Sequence, residues 1–222
     1  ETVYMRLLHE RQQVLDYCRK MIDHKLTTGS GGNISIYNRE EGLIAISPGS
    51  MNYFKINPED IMVVSPQGAV VEGKNKPSSE MQFHLALFQQ RMDVNAVIHS
   101  HSVYATAMAC LRKPIPPLHY LVGLIGDCVP VIEYATFGTK TLAENIAKGI
   151  GTYNAALLAN HGVVSVGSDI DLCFIIAEHV ELLAQMYLFA SAAGSPVLLP
   201  AEEMTVLQDK FQQYIFKTKD VK

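Results

Sequence analysis

The sequence predicts an α/β domain built on a largely antiparallel or mixed β-sheet with helices on both faces. Three observations carry that expectation. Short apolar runs recur early and close together, separated by Pro, Gly and Asn turns. Longer segments with apolar residues every three or four positions bracket them. No Pro- or Gly-rich linker and no internal repeat divides the chain, so residues 1–222 are expected to form a single domain.

The first helix is expected over about Met5 to His24, where Leu7, Leu8, Val14, Leu15, Cys18 and Ile22 keep helical spacing. A turn-rich stretch, Thr27 to Asn33, follows. Strands are expected at Ile34–Tyr37, Leu43–Ser47, Ile61–Val64 and Ala69–Val71, in a hairpin-like pattern. Ser78-Ser79-Glu80 is expected to open the next helix, with serine as N-cap and Glu80 complementing the positive helix end. Met81, Leu85 and Phe88 then share one face. Asn95–His101 reads as a buried strand and Tyr104–Leu111 as a short helix. Val129–Ile132 and Ala155–Ala159 read as strands around a helix near Leu142–Ile150. Asp169–Ala193 and Glu202–Phe216 are the remaining amphipathic helices.

Hydrophobic residues make up 48% of the chain and charged residues 18%, enough for a core and without the signature of disorder. The formal charge of −4 argues against a nucleic-acid or anionic-membrane partner, either of which needs a basic face. No uninterrupted apolar run of ~18 residues marks a transmembrane helix. The start, Glu1 to Arg6, lacks the basic-then-apolar pattern of a signal peptide. Cys18, Cys110, Cys128 and Cys173 are widely spaced with no CxxC, so buried reduced thiols and a cytoplasmic location are expected.

Chemistry concentrates in three histidines and a glutamate. His99 and His101 form an H-x-H on an expected strand; side chains alternate there, so both imidazoles point the same way. His161 lies just past another strand end, before what reads as a Gly turn at Gly162. Three imidazoles with one open position suit a catalytic zinc. Spacing alone leaves the alternative open, a set of hydrogen-bonded core histidines. Glu80 is a carboxylate available as fourth ligand or as base. His84, four residues on, shares its helical face and is read as a supporting or packing residue rather than a ligand. No acidic residue follows the H-x-H where a metallo-β-lactamase or a cupin needs one. His9, His24, His119 and His179 have no partner pattern.

Gly29-Ser30-Gly31-Gly32-Asn33 fails as a dinucleotide fingerprint, because Ile34 replaces the third glycine and a strand follows. It also lacks the Gly-Lys-Ser/Thr of a P-loop. Successive amides in such a turn can still form an anion nest. Ser78 and Ser79 at a helix start, with the loop Ser47-Pro48-Gly49-Ser50, make a phosphate pocket plausible beside a metal; taken locally, each is ordinary turn chemistry.

The motifs taken together resemble the class II aldolase/adducin-like family of sugar-phosphate aldolases and 4-epimerases. Gly29–Asn33, Lys76-Pro-Ser-Ser-Glu80 with His84, Asn95–His101, Ile115-Pro-Pro-Leu-His-Tyr120, Tyr134-Ala-Thr-Phe-Gly138 and Ala159-Asn-His-Gly162 match in order and spacing almost end to end. The resemblance implies a lyase carrying one Zn2+ per subunit on His99, His101 and His161, with Glu80 as resting fourth ligand and proton carrier. It implies a homotetramer with fourfold symmetry and sites near the subunit interfaces. It places the substrate phosphate on Asn33, Ser78 and Ser79, with Ser30, Ser47 and Gly49 nearby. It makes Tyr120, reaching in from a neighbouring subunit, and Tyr214, in a mobile C-terminal tail, catalytic. The implied reaction is cleavage of a ketose 1-phosphate, L-fuculose 1-phosphate or a relative, to dihydroxyacetone phosphate and L-lactaldehyde.

The family loop usually reads Ser/Thr-Pro-Ser/Thr-Gly, whereas here Gly49 and Ser50 have traded places. The rivals are a ribulose-5-phosphate 4-epimerase, which tends to carry Asp in place of Glu80, and a methylthioribulose-1-phosphate dehydratase. Further rivals are an inert structural zinc and a non-catalytic module like the adducin head, which lacks the full histidine set. Lys76 is read as a surface or phosphate-side charge, with no Schiff base.

Overall fold

Six helices pack on one eight-stranded sheet in the computed structural model, which describes residues 5–219 and the side chains of residues 5–215. The elements are α1 (Leu8–Asp23), β1 (Asn33–Asn38), β2 (Leu43–Ile46), β3 (Met62–Val64), β4 (Val70–Glu72), α2 (Met81–Gln90), β5 (Ala96–Ser100), α3 (Val103–Leu111), β6 (Val131–Ile132), α4 (Lys140–Ile150), β7 (Ala155–Leu158), β8 (Gly162–Gly167), α5 (Ile170–Ala193) and α6 (Ala201–Lys219). The strand order is β4-β3-β2-β1-β5-β8-β7-β6. Every pairing is antiparallel except β6 with β7, so the expected mixed, largely antiparallel sheet is present.

Strand alternation sorts the core. Ile34 and Ile36 of β1 and Ala96 and Ile98 of β5 pack with Val14, Cys18 and Met21 of α1 and Phe174 of α5 on one face. Val97 of β5 and Val164 and Val166 of β8 pack with Phe83 and Phe88 of α2 and Ile146 of α4 on the other. A third cluster joins α3, α5 and α6 over Val163 and Leu157. Asp169 caps α5 by accepting the Leu172 amide at 2.9 Å, and Thr139 caps α4 through Leu142 at 3.2 Å.

Four expectations change. Gly162 does not form a turn: it begins β8, opposite Leu158, and the chain reverses two residues earlier, where Asn160 takes φ +54°. Strand β8 is buried on both faces, so it shows no apolar–polar alternation to betray it. Glu80, not a serine, occupies the N-cap of α2, and Ser78 Oγ instead accepts the Glu80 amide at 3.2 Å. Of the four free thiols, Cys18 and Cys173 are buried, but Cys110 is exposed and Cys128 half-buried. Among the described residues α5 is the one helix long and apolar enough to cross a membrane; its apolar side chains are used instead against the sheet and α3.

Candidate active site

The site forms where the ends of β1, β5 and β8 meet the start of α2. His99 is the fourth residue of β5 and lies opposite Asn33 of β1 and Val164 of β8. His101 follows two residues later on the same side, and the tight β7–β8 turn carries His161. The ligand atoms of His99, His101 and His161 all lie within 4.8 Å of one another. Glu80 reaches them from α2: Oε2 is 3.3 Å from His99 Nε2 and Oε1 is 3.2 Å from His161 Nε2. The three histidines and the glutamate expected at one centre are therefore brought together.

Proton placement shows what this group is built for. His99 Nδ1 lies 2.9 Å from the Val163 carbonyl, which only accepts, so Nδ1 holds the hydrogen and Nε2 presents a lone pair. Burial pushes His99 down to about 4 against the pull of Glu80, and His101 is lowered by burial and then by His161. Both rings are thus neutral near pH 7. Burial alone would raise the Glu80 carboxyl; the field of His99, the closeness of His161 and the Asn33 hydrogen bond outweigh it and hold the group below the carboxylate range. Imidazole nitrogens and an anionic carboxylate converge: His99 Nε2 and His101 Nε2 are 2.9 Å apart, and the buried Glu80 Oε1 has no hydrogen-bond donor of good geometry. Three imidazoles around one point, beside a buried carboxylate oxygen without a donor, are stabilised by a shared cation, so the residues fit a divalent metal. The ring of His99 is fully buried, His161 is half-buried and His101 exposed, which leaves one side open.

That open side is a cleft of ≈ 310 Å³ lined by Ser79, Glu80, His101, Tyr134, Ala135, Phe137, Asn160 and His161. Asn160 Oδ1 accepts from Arg112 Nε at 2.8 Å. Tyr134, Phe137 and Asn160 stand inside the motifs that carry the resemblance, and in the sequence only that closeness marks them as cleft residues.

Two glycines are set by close approach. A Cβ on Gly162 would lie 2.4 Å from the Ser100 carbonyl oxygen and 2.8 Å from His101 Cδ2. At Gly32, with φ +72°, a Cβ would meet the His99 carbonyl oxygen at 2.6 Å. Both hold the β5 histidines in place.

Of the expected phosphate residues, Gly49, Ser78 and Ser79 lie along one rim. Gly49 N–H donates to the Lys76 carbonyl at 3.0 Å, Ser78 N–H to the Ser47 carbonyl at 3.2 Å, and Pro48 bridges Pro77. These contacts join the 47–50 loop to the start of α2. Ser47 Oγ is fully buried and accepts the Ile34 amide at 3.1 Å, so it anchors β1 under the rim. Ser79 faces the cleft, Ser78 is buried behind it and Ser30 is exposed. Asn33 lies deeper than expected, donating to Glu80 Oε2 at 2.9 Å. Its Oδ1 faces His84 Nε2 at 2.5 Å. Burial, followed by the charge of His99, lowers His84 to about 3, so its ring is neutral.

The exchanged loop residues have a physical reading. Ser50 adopts φ +56°, a conformation glycine favours, while a Cβ on Gly49 would meet the Pro77 carbonyl at an ordinary 3.4 Å. The double exchange Gly49→Ser/Ser50→Gly is expected to keep the fold and raise stability by about 1 kcal/mol. A lowered urea midpoint would show that Ser50 is not strained.

Tyr120 and Tyr214 are not among the residues lining the histidine cleft of their own chain. They line a separate apolar cleft of ≈ 300 Å³ with Leu207, Lys210 and Phe211. The Tyr120 ring is 52% exposed and stacks on Phe211 at 6.2 Å, with ring planes 6° apart.

Comparison with known proteins agrees with this geometry. The family profile described as "Class II Aldolase and Adducin N-terminal domain" matches residues 12–188. The 5-deoxy-D-ribulose 1-phosphate aldolase of Bacillus thuringiensis serovar kurstaki is 44% identical, over 95% of this chain and 99% of its own. The L-fuculose phosphate aldolase of Haemophilus influenzae is 39% identical, over 91% and 94%. A solved L-fuculose 1-phosphate aldolase superposes with a TM-score of 0.90 at 44% identity, covering 92% of this chain and 96% of that one. An open histidine triad that could hold a metal ion, a carboxylate at its edge and this end-to-end likeness place the chain in the class II aldolase family, as a lyase.

Proposed function

We propose that the chain is a zinc-dependent aldolase for a ketose 1-phosphate ending in a methyl group, with 5-deoxyribulose 1-phosphate the first candidate and L-fuculose 1-phosphate the second. The carrying observation is the convergence of three imidazoles and Glu80 at the mouth of the cleft. The two substrates are those named for similar proteins, and both end in a methyl group that the rings of Tyr134 and Phe137 can face. The products would be dihydroxyacetone phosphate with acetaldehyde in the first case and with L-lactaldehyde in the second.

His99, His101 and His161 would hold the ion, with Glu80 as resting fourth ligand. When bound, the ion supplies a Lewis acid opposite the negative charge that builds on the ketone oxygen as the C3–C4 bond breaks. In cleavage the proton that leaves the C4 hydroxyl ends on the carbon of the three-carbon fragment: Glu80, ionised at rest, receives it and hands it on, and in condensation Glu80 takes it from that carbon. Ser79, Ser78 and the second N–H of Asn33 offer donors to the phosphate, beside the positive end of α2. Ser30, Gly49 and Ser47 shape that rim.

We also propose a homotetramer with fourfold symmetry, in which Tyr120 crosses to a neighbour's cleft and relays the proton of the C4 oxygen, on the aldehyde side of the breaking C3–C4 bond, with Tyr214 closing over it. The exposed apolar surface around Tyr120 and Phe211 supports this. Native mass spectrometry should find four times the 24.5 kDa chain mass; a monomer at assay concentration would remove Tyr120 from the mechanism.

The direct test is a coupled assay of dihydroxyacetone phosphate release across 5-deoxyribulose 1-phosphate, L-fuculose 1-phosphate and related esters, with ribulose 5-phosphate as the epimerase control. A chelator should abolish cleavage and zinc restore it. Full turnover by metal-free protein, or epimerisation without cleavage, would overturn the proposal.

A further inference from the structure

Behind Glu80 lies a buried polar relay that continues through Asn33 to His84 and Ser35. Asn33 and Ser35 alternate on β1 and face α2, while Glu80 and His84 stand four residues apart at its start. Two strand residues advance ~6.6 Å and four helical residues ~6 Å, so the two ladders run in step. Ser35 Oγ is 2.6 Å from His84 Nδ1, His84 Nε2 is 2.5 Å from Asn33 Oδ1, and Asn33 Nδ2 is 2.9 Å from Glu80 Oε2. All four side chains are buried.

The direction of every hydrogen follows from the Glu80 end. A carboxylate only accepts, so Asn33 must turn its nitrogen toward Oε2. That leaves Asn33 Oδ1 facing His84, so His84 Nε2 carries the hydrogen. His84 Nδ1 is then a lone pair and accepts the Ser35 hydroxyl. Each member has one arrangement that satisfies its neighbours, and Ser35 and His84, fully buried, have no solvent contact to turn to instead.

We propose that His84 is a positioning residue for the proton carrier Glu80, acting through Asn33. Without the His84 N–H, the Asn33 amide is free to turn its oxygen toward Glu80, and two acceptors then face each other. The carboxylate loses its seat beside the cleft, although the three imidazoles keep theirs. This proposal rests on the reading of Glu80 as the carrier.

The test is the half-reaction that needs only the carrier: exchange of the carbon-bound proton of dihydroxyacetone phosphate into D2O by the zinc enzyme, followed by NMR, with metal content measured alongside. His84→Leu should slow exchange and kcat by about 10–100-fold, with KM within about twofold and the metal retained. His84→Gln, whose amide nitrogen reaches the place of Nε2, should recover most of the loss. Ser35→Ala reads the relay from its far end without cutting into the packing around His84, and should slow exchange several-fold. Normal exchange in His84→Leu, or in Ser35→Ala if the leucine variant does not fold, overturns the proposal. Equal losses in His84→Leu and His84→Gln, or a loss that only tracks missing metal, also overturn it, because His84 would then be packing on Phe83. Persisting exchange in Glu80→Gln removes the carrier reading itself, whereas a dead Glu80→Gln beside a normal His84→Leu removes the relay alone.

Discussion

Glu80→Gln is expected to lower kcat by about 10²–10⁴-fold while the protein keeps its fold and much of its metal. The amide is isosteric with the carboxyl, and its oxygen can still accept from Asn33 Nδ2, which lies 2.9 Å from Oε2 in the native site. What the amide cannot do is take up and return a proton. The three imidazoles, a full ligand set for a catalytic ion, remain. The check is dihydroxyacetone phosphate release beside elemental analysis of the same preparation. Near-normal turnover at full metal content would take the proton away from Glu80. Loss of turnover in step with loss of metal would make the residue a ligand only.

Gly162→Ala is expected to damage the centre without touching any ligand. The new methyl would lie 2.4 Å from the Ser100 carbonyl oxygen, which is fixed backbone, and 2.8 Å from the His101 ring. Neither position is reachable by a real carbon, so β8 must move away from β5 or His101 must leave its place. The stability cost is about 1–3 kcal/mol, typical of overpacking in a dense core. Zinc affinity should fall by about 10–100-fold, since the geometry that orients the imidazoles is lost. A zinc-competition titration and a urea midpoint measure the two effects. Wild-type values for both would mean that the β5–β8 edge has slack that the closeness of Gly162 to Ser100 does not show.

Helices were legible because their signal is local. The spacing of Val14, Leu15, Cys18 and Ile22 on α1 is visible without knowing what covers it, and the same holds for α2, α4 and α5. Strand β8 was not legible. Val163, Val164, Ser165 and Val166 are buried on both sides, so alternation is absent, and glycines at each end imitate a turn. The cap of α2 was misplaced for a related reason. A run of Ser78, Ser79 and Glu80 offers several capping residues, and the contact of Ser78 with Ser47 across the rim decides among them.

The metal-binding set was legible in part. His99 and His101 share a direction because any strand has a repeat of two. Glu80 and His161 entered through position and resemblance, and their distances to the other ligands were beyond the reach of spacing. Asn33 shows the limit most clearly. Its motif points to phosphate, but its side chain sits between Glu80 and His84, where one amide serves two buried neighbours. The signal that pointed there, the four-residue interval from Glu80 to His84, described one helix face and said nothing of β1. Tyr120 and Tyr214 lie together in a cleft apart from the histidines, and a single chain does not join the two places.

By itself, then, the sequence determined the mixed α/β layering, the paired direction of His99 and His101, the motif order of a class II aldolase and a net charge of −4. The tertiary structure alone decided that β1, β5 and β8 lie side by side, although they are far apart in the chain. That order brings Asn33, His99 and the turn before Gly162 to one edge, with α2 delivering Glu80 onto it. The physical reason is range. A residue's direction along a strand or helix is fixed by its own backbone, whereas the meeting of three histidines and Glu80 depends on long-range pairing and on glycines with room for nothing larger.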